Sequence, residues 1–224
     1  STGNLLWSRT YTSPAPEYAT DLAFGVAVDP SDNVVVVGRE DQSDLGQSVD
    51  WLIRKYDSVG NLLWSKTYNK ATVNGADVAY GVAVDGTGNV LVVGFERFES
   101  GGSLAWLIRK YDSNGNLLWS HNGPAVVDGV AYAVAAGSSG NAVVVGHQNN
   151  DWLVRKYDNL GNLLWSRTYN SPANNADIAY GVAIDSSEGV WVVGVENQSS
   201  SLGGNWLIRK YDSAGNLLWS QTYN

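Results

Sequence analysis

The chain predicts an all-β fold, a four-bladed β-propeller with four antiparallel strands per blade plus one extra N-terminal outer strand. Three observations lead there. Four short phrases recur in one fixed order along the 224 residues, and the fourth carries its tryptophan at Trp7, Trp64, Trp119, Trp165 and Trp219, at spacings of 57, 55, 46 and 54 residues. Each phrase is a short run of Val, Ile, Leu, Trp and Tyr bounded by Gly, Asn, Asp or Ser, the composition of brief strands between tight turns. Four strands to a repeat of this length is the pattern of a propeller blade, whereas sandwiches and barrels carry no four-strand period.

From the axis outward, strand A is Gly25-Val26-Ala27-Val28-Asp29, repeated from Gly81 to Asp85, more weakly from Ala133 to Gly137, and from Gly181 to Asp185. Strand B follows turn chemistry such as Asp29-Pro30-Ser31-Asp32-Asn33 and ends in Val-Val-Gly at Gly38, Gly94, Gly146 and Gly194. Strand C is Trp-Leu-Ile/Val-Arg-Lys-Tyr-Asp, starting at Trp51, Trp106, Trp152 and Trp206, and strand D is Gly-Asn-Leu-Leu-Trp-Ser. The predicted division of this single domain is an extra strand D at 1–12, then blades at 21–69, 77–122, 128–170 and 177–224. Blades pack face to face, so continuous apolar runs such as Val34 to Val37 are expected rather than strict alternation. Nine of the ten tryptophans fall at strand C or strand D positions and read as inter-blade core rather than as a stacking platform; Trp191 stands outside the pattern.

Bulk composition sets outer bounds. With 44% apolar and 16% charged residues the chain is that of a globular protein with a sizeable core. No run of about 18 apolar residues occurs, so no membrane insertion is expected, and the start does not resemble a signal peptide. The chain begins at Ser1, which fits a processed or trimmed polypeptide. Cysteine and methionine are both absent, which removes disulfides, thiolate chemistry and Cys-based metal sites. A net charge of -8, with eight of the 14 basic residues locked in a repeated Arg-Lys pair, argues against nucleic acid.

The order Gly-Val-Ala-Val-Asp, turn, Asn-Val-Val-Val-Val-Gly, Trp-Leu-Ile-Arg-Lys-Tyr-Asp, Gly-Asn-Leu-Leu-Trp-Ser resembles the SBBP-type bacterial β-propeller repeat and, more loosely, the NHL repeat, over nearly the whole chain. The resemblance implies strand A at the axis and an extracellular or cell-surface setting. It implies no reaction, since such repeats serve as scaffolds and binding modules.

Candidate chemistry is sparse. Acidic residues recur at the end of strand B, at Glu40, Glu96 and Glu196, with Gln148 in the third unit. Converging carboxylates suit a cation or acid-base work, but the expected role here is structural, as acceptors from Arg54, Arg109, Arg155 and Arg209 of strand C or from turn amides. Asp21, Asp77 and Asp177 precede strand A, with Gly129 in the third unit, and are expected to cap backbone N–H groups. The Arg-Lys dipeptide sends its cations to opposite faces of strand C. His121 and His147 lack partners at metal-ligand spacing, and no catalytic or phosphate-binding motif is present. No cofactor, no metal site and no enzyme are expected.

Repeat logic leaves one feature over: five D phrases against four of A, B and C. The first, with Asn4, Leu5, Leu6, Trp7, Thr10 and Tyr11, competes with Leu217, Leu218, Trp219 and Tyr223 of the last for one place in a ring. Leaving either in water exposes apolar side chains whose burial is worth about 1.5 to 3 kcal/mol each, together with a free backbone edge. Two dispositions follow, an added outer strand in cis or β-augmentation of another copy in trans, the latter a heterologous contact that generates rings or filaments. The expected function is a non-enzymatic structural protein, partnered by other copies of itself through exchange of an outer strand. Its rival is a carbohydrate-binding module that uses the polar loops Arg39 to Asp50, Glu96 to Ala105 and Glu196 to Asn205.

Overall fold

The computed structural model describes residues 3–14, 20–42, 48–70, 75–98, 102–123, 128–197 and 203–224, and among them it contains sixteen strands, no helix, and four four-stranded antiparallel sheets. Sheet 1 holds β1 (Leu22–Val28), β2 (Val34–Asp41), β3 (Val49–Tyr56) and β4 (Leu62–Tyr68). Sheet 2 holds β5 (Val78–Val84), β6 (Val90–Arg97), β7 (Leu104–Tyr111) and β8 (Leu117–Asn122). Sheet 3 holds β9 (Gly129–Ala136), β10 (Ala142–Gln148), β11 (Asp151–Tyr157) and β12 (Leu163–Tyr169). Sheet 4 holds β13 (Ile178–Ile184), β14 (Val190–Glu196), β15 (Asn205–Tyr211) and β16 (Leu217–Tyr223). Each sheet is a meander in sequence order.

Local chemistry explains the meander. The outer hairpins close on an aspartate at 57, 112, 158 or 212, whose carboxylate accepts the N–H groups two and four residues on and the amide of the following Asn61, Asn116, Asn162 or Asn216. The chain then turns through a positive φ of 81° to 90° at Gly60, Gly115, Gly161 and Gly215, a conformation that glycine adopts without steric cost. The glycine that ends each Val-Val-Gly phrase has a different reason. A Cβ on Gly38, Gly94, Gly146 or Gly194 would lie 1.9 to 2.0 Å from a carbonyl oxygen of the adjacent inner strand, so that strand sits against bare backbone.

The inner strands begin three or four residues earlier than the repeat predicts, and each contains a bulge. The ladder skips Phe24, Tyr80, Tyr132 and Tyr180 in turn. These four rings form a run, with centroids 5.1 Å apart for Phe24 and Tyr80, 5.5 Å for Tyr80 and Tyr132, and 5.2 Å for Tyr132 and Tyr180.

The sheets pack face to face in chain order, with β1 against β5, β5 against β9 and β9 against β13. The core lies between them. At the first junction Val35, Val37, Trp51 and Ile53 of sheet 1 meet Val90, Val92 and Leu107 of sheet 2, and the next two junctions repeat the arrangement. Each sheet thus has a front face toward its successor and a back face toward its predecessor. Sheet 4 makes no comparable packing on sheet 1, so the run of sheets has two ends.

Segment 3–11 forms no strand. The expected outer strand at 1–12 is thereby corrected for its described residues: it neither adds to the edge of a sheet in cis nor carries a backbone ladder. It lies instead on the back face of sheet 1.

Candidate functional site

Three internal junctions define what a sheet offers its neighbour. The strand C tryptophan of one sheet donates its indole N–H to a strand B carbonyl of the next: Trp51 to Phe95 at 2.9 Å, Trp106 to His147 at 2.7 Å and Trp152 to Val195 at 2.8 Å. The strand D tryptophan donates to the outer turn of the next sheet, Trp64 to Ser113, Trp119 to Asn159 and Trp165 to Ser213, all at 3.0 to 3.1 Å, and lies against the positive-φ glycine of that turn. Four residues further along β4 and β12, Tyr68 and Tyr169 donate to Glu96 at 2.7 Å and Glu196 at 2.5 Å. Their rings lie 4.0 and 4.1 Å beneath the guanidinium groups of Arg109 and Arg209.

This geometry corrects one expectation. The recurrent glutamates accept from tyrosines that precede their unit, and the strand C arginines Arg54, Arg109 and Arg209 stack on those tyrosines, while Arg155 lies over Trp106. Burial and the adjoining carboxylate both raise the phenols; Tyr169 is pushed up to about 12 by burial first and the Glu196 hydrogen bond second. The aspartates before strand A do bond backbone N–H groups, at both ends of a connection: Asp21 takes Ser13 and Asp41, Asp77 takes Lys70 and Arg97, and Asp177 takes Ser171 and Asn197. Among the described residues no group of three or more His, Asp or Glu side chains is placed to hold a metal ion. The loops considered for carbohydrate lie in part, at 43–47, 99–101 and 198–202, outside the described residues.

The strand C lysines have a role that sequence reading missed. Lys55 pairs with Asp29 at 2.8 Å, Lys110 with Asp85 at 3.0 Å and Lys210 with Asp185 at 3.3 Å. Burial alone would raise the Asp29 and Asp85 carboxyls, but hydrogen bonds from lysine and turn residues overcome it and hold both at about 2. Unit three has Gly137 where the others have aspartate, and Lys156 turns forward to Glu188 of sheet 4 at 3.3 Å. Glu188 sits at φ 61°, where the equivalent positions are Gly88, Gly140 and Asp32. A signal was in the sequence: the one unit without the aspartate precedes the one unit with a glutamate in that turn.

The two ends of the run are the unusual surfaces. On the front face of sheet 4, Val193 is 44% exposed, Trp206 74%, Trp219 41% and Tyr223 55%, whereas the equivalent Val37 and Trp51 are 1% and 0% exposed. On the inner strand of sheet 1, Leu22, Ala23, Phe24, Val26 and Val28 are exposed, whereas Ala79, at the position of Ala23 in sheet 2, is fully buried. The aromatic run stops at these ends, in half-exposed Phe24 and Tyr180.

Segment 3–13 covers part of the sheet 1 face, and its contacts copy those of strand D. Trp7 donates to Ser58 at 3.1 Å, lies on Gly60, and stands 6.0 Å from Tyr56; Tyr11 donates to Glu40 at 2.5 Å with Arg54 4.4 Å above its ring. A cleft of about 230 Å³ remains between Trp7, Tyr11, Leu22, Val36 and Leu52. Of the residues expected in assembly, Trp7 and Tyr11 make these contacts, while Asn4, Leu5, Leu6 and Thr10 are exposed. Leu217 and Leu218 are exposed as well, and so are Leu62, Leu63, Leu117, Leu118, Leu163 and Leu164 inside the run. The Leu-Leu pair therefore faces solvent in every strand D, and the expectation that it is buried is withdrawn; tryptophan and tyrosine carry the contact.

No family model matches the chain, and no curated protein matches it. Among solved structures it is similar to a protein of unknown function from Bacteroides caccae, at 14% identity and a TM-score of 0.57, over 93% of this chain and 69% of that one. Weaker likenesses are to a eukaryotic initiation factor (11% identity, TM-score 0.41, 90% of this chain and 55% of that) and to Sqt1 from Chaetomium thermophilum (13%, 0.32, 89% and 71%).

Proposed function

We propose that this chain is a non-enzymatic structural protein whose sheets are propeller blades and whose copies join end to end, the front face of sheet 4 on the back face of sheet 1. One observation carries the reading: Trp206, identical in phrase and position to three buried tryptophans, is 74% exposed, and its acceptor by equivalence, the Arg39 carbonyl, lies at the other end of the chain. An exposed apolar surface of this kind marks an interaction site. The recurrent carboxylates are committed, Glu40, Glu96 and Glu196 to tyrosines and Asp21, Asp77 and Asp177 to backbone amides, which supports a scaffold rather than a catalyst. The contact joins two different surfaces, so it propagates into a ring or a filament. A setting at or outside the cell surface is part of the proposal, on the resemblance of the repeat alone.

Sedimentation of the full chain from micromolar to sub-millimolar concentration tests the reading. Mass rises in multiples of the 24.1 kDa chain, and Trp206→Glu returns it to one chain. A single chain at every concentration, with and without residues 1–12, overturns it.

A further inference from the structure

We propose that segment 3–13 is a built-in competitor for the assembly contact: it occupies the seat on sheet 1 that β16 of a second copy takes, and it leaves when that copy docks. The inference rests on the self-association reading above. It starts from a duplication of contacts. The internal junctions fix where a following strand D goes, and by that rule Trp219 of an incoming sheet 4 takes the Ser58 carbonyl and the face of Gly60, and Tyr223 takes Glu40 and the Arg54 guanidinium. Trp7 and Tyr11 already hold these partners. Two occupants of one seat exclude each other.

The backbone decides which one leaves. β16 is bound to β15 by a six-pair ladder and by the Asp212 to Asn216 turn, so removing it breaks a sheet. Segment 3–11 has no ladder, and releasing 3–13 gives up the Trp7 and Tyr11 contacts, which Trp219 and Tyr223 then replace in kind, and one backbone hydrogen bond, from Ser13 to Asp21. The incoming sheet also brings groups that the segment lacks. Trp206 reaches toward the Arg39 carbonyl, Val193 enters the region of the cleft, and Tyr180 comes to Phe24 and continues the aromatic run across the junction. Exchange therefore buries apolar surface that the segment alone leaves in water. Tethered to its own sheet, the segment competes at a high effective concentration, so it raises the concentration at which copies join without abolishing joining.

The test compares association constants by sedimentation for the full chain, a chain lacking residues 1–12, and the full-length double variant Trp7→Ala/Tyr11→Ala, with circular dichroism confirming the fold of each. The double variant guards against a deletion that unfolds sheet 1. Both altered chains associate at least tenfold more tightly than the parent, and adding Trp206→Glu to either cancels the gain, which separates docking from non-specific aggregation. Association that is unchanged or weaker in the altered chains overturns the competitor role while leaving self-association standing. Association in none of them ends both readings.

Discussion

Trp152 and Trp206 begin the same phrase one repeat apart, and they meet opposite fates: the first is 0% exposed and bonded to the Val195 carbonyl at 2.8 Å, the second is 74% exposed. Nothing local separates them. Each sits at the start of a strand C, flanked by strands B and D in the same register. The difference is whether a next sheet exists. In a stack of this kind burial belongs to the junction rather than to the residue, each repeat contributing half of an interface that only its neighbour completes. The two ends are therefore half-junctions, and under the proposed end-to-end joining the internal junctions say what would complete them.

The sharpest way to break this comparison is to truncate both tryptophans. Trp152→Ala removes a large buried side chain and its hydrogen bond, and should cost about 3–5 kcal/mol of unfolding free energy, read from urea denaturation. Trp206→Ala, measured at a concentration where the chain is single, should fall within about 0.5 kcal/mol of the parent. Equal losses would mean that sheet 4 is covered within its own chain.

The lysines give the next contrast. Lys110 is 0% exposed against an Asp85 that is 1% exposed, whereas Lys210 and Asp185 are 25% and 30% exposed. Lys110→Ala leaves a buried carboxylate uncompensated and should cost about 3–5 kcal/mol; Lys210→Ala should cost about 0–1 kcal/mol. Because Asp85 titrates at about 2, below its ordinary value of 3.8, its contribution is present above pH 4 and is lost as pH falls toward 2. Acid melts should therefore converge for the parent and Lys110→Ala at low pH, and parallel curves would contradict the pairing.

One internal junction carries a charge of the opposite tendency. Asp50 is 4% exposed and its carboxyl is raised to about 7, by burial first and then by Asp77 and Glu40 nearby. A raised carboxyl makes the fold favour the protonated form, so stability falls as pH climbs from about 4 to about 7. Asp50→Asn should then raise the melting temperature at pH 8, by roughly 2–4 °C for each kcal/mol relieved in a domain of this size, and leave it unchanged at pH 4. A gain of equal size at both pH values would locate the effect in packing instead.

The all-β class, the sixteen strands and the in-order sheets were legible because the repeat is written in apolar runs and turn residues, which act locally. Trp51, Trp106 and Trp152 were legible as core for the same reason, whereas Trp206 and Trp219, read in the same way, are exposed because no further sheet covers them. The bulge at Phe24, Tyr80, Tyr132 and Tyr180 was not, because it depends on the fit of strand A over Gly38, Gly94, Gly146 and Gly194, a contact between strands. Nor were the partners of Glu40, Glu96 and Glu196: strand alternation sets which face a side chain takes, but the tyrosines that reach Glu96 and Glu196 come from the preceding sheet, and the one that reaches Glu40 comes from segment 3–13. The segment ending at Tyr11 was readable as a spare strand D and not as a seated one, since its seat is built by Ser58, Gly60 and Arg54 some 50 residues on.

The smallest contrast tests that seat from the other side. Tyr68 donates to Glu96, which is 0% exposed, and Glu96 keeps Lys70 at 3.2 Å and Asn122 at 2.7 Å as further partners. Tyr68→Phe should cost about 1–2 kcal/mol, a lost hydrogen bond to a charged acceptor that stays partly satisfied. Tyr223→Phe at the open end should cost a single chain nothing measurable, yet it should weaken joining of copies, because the hydroxyl then lacks its turn at Glu40. A Tyr223→Phe chain that joins as tightly as its parent would show that the tyrosine contributes its ring over Arg54 and not its hydroxyl, and the seat would then rest on stacking and on the tryptophan alone.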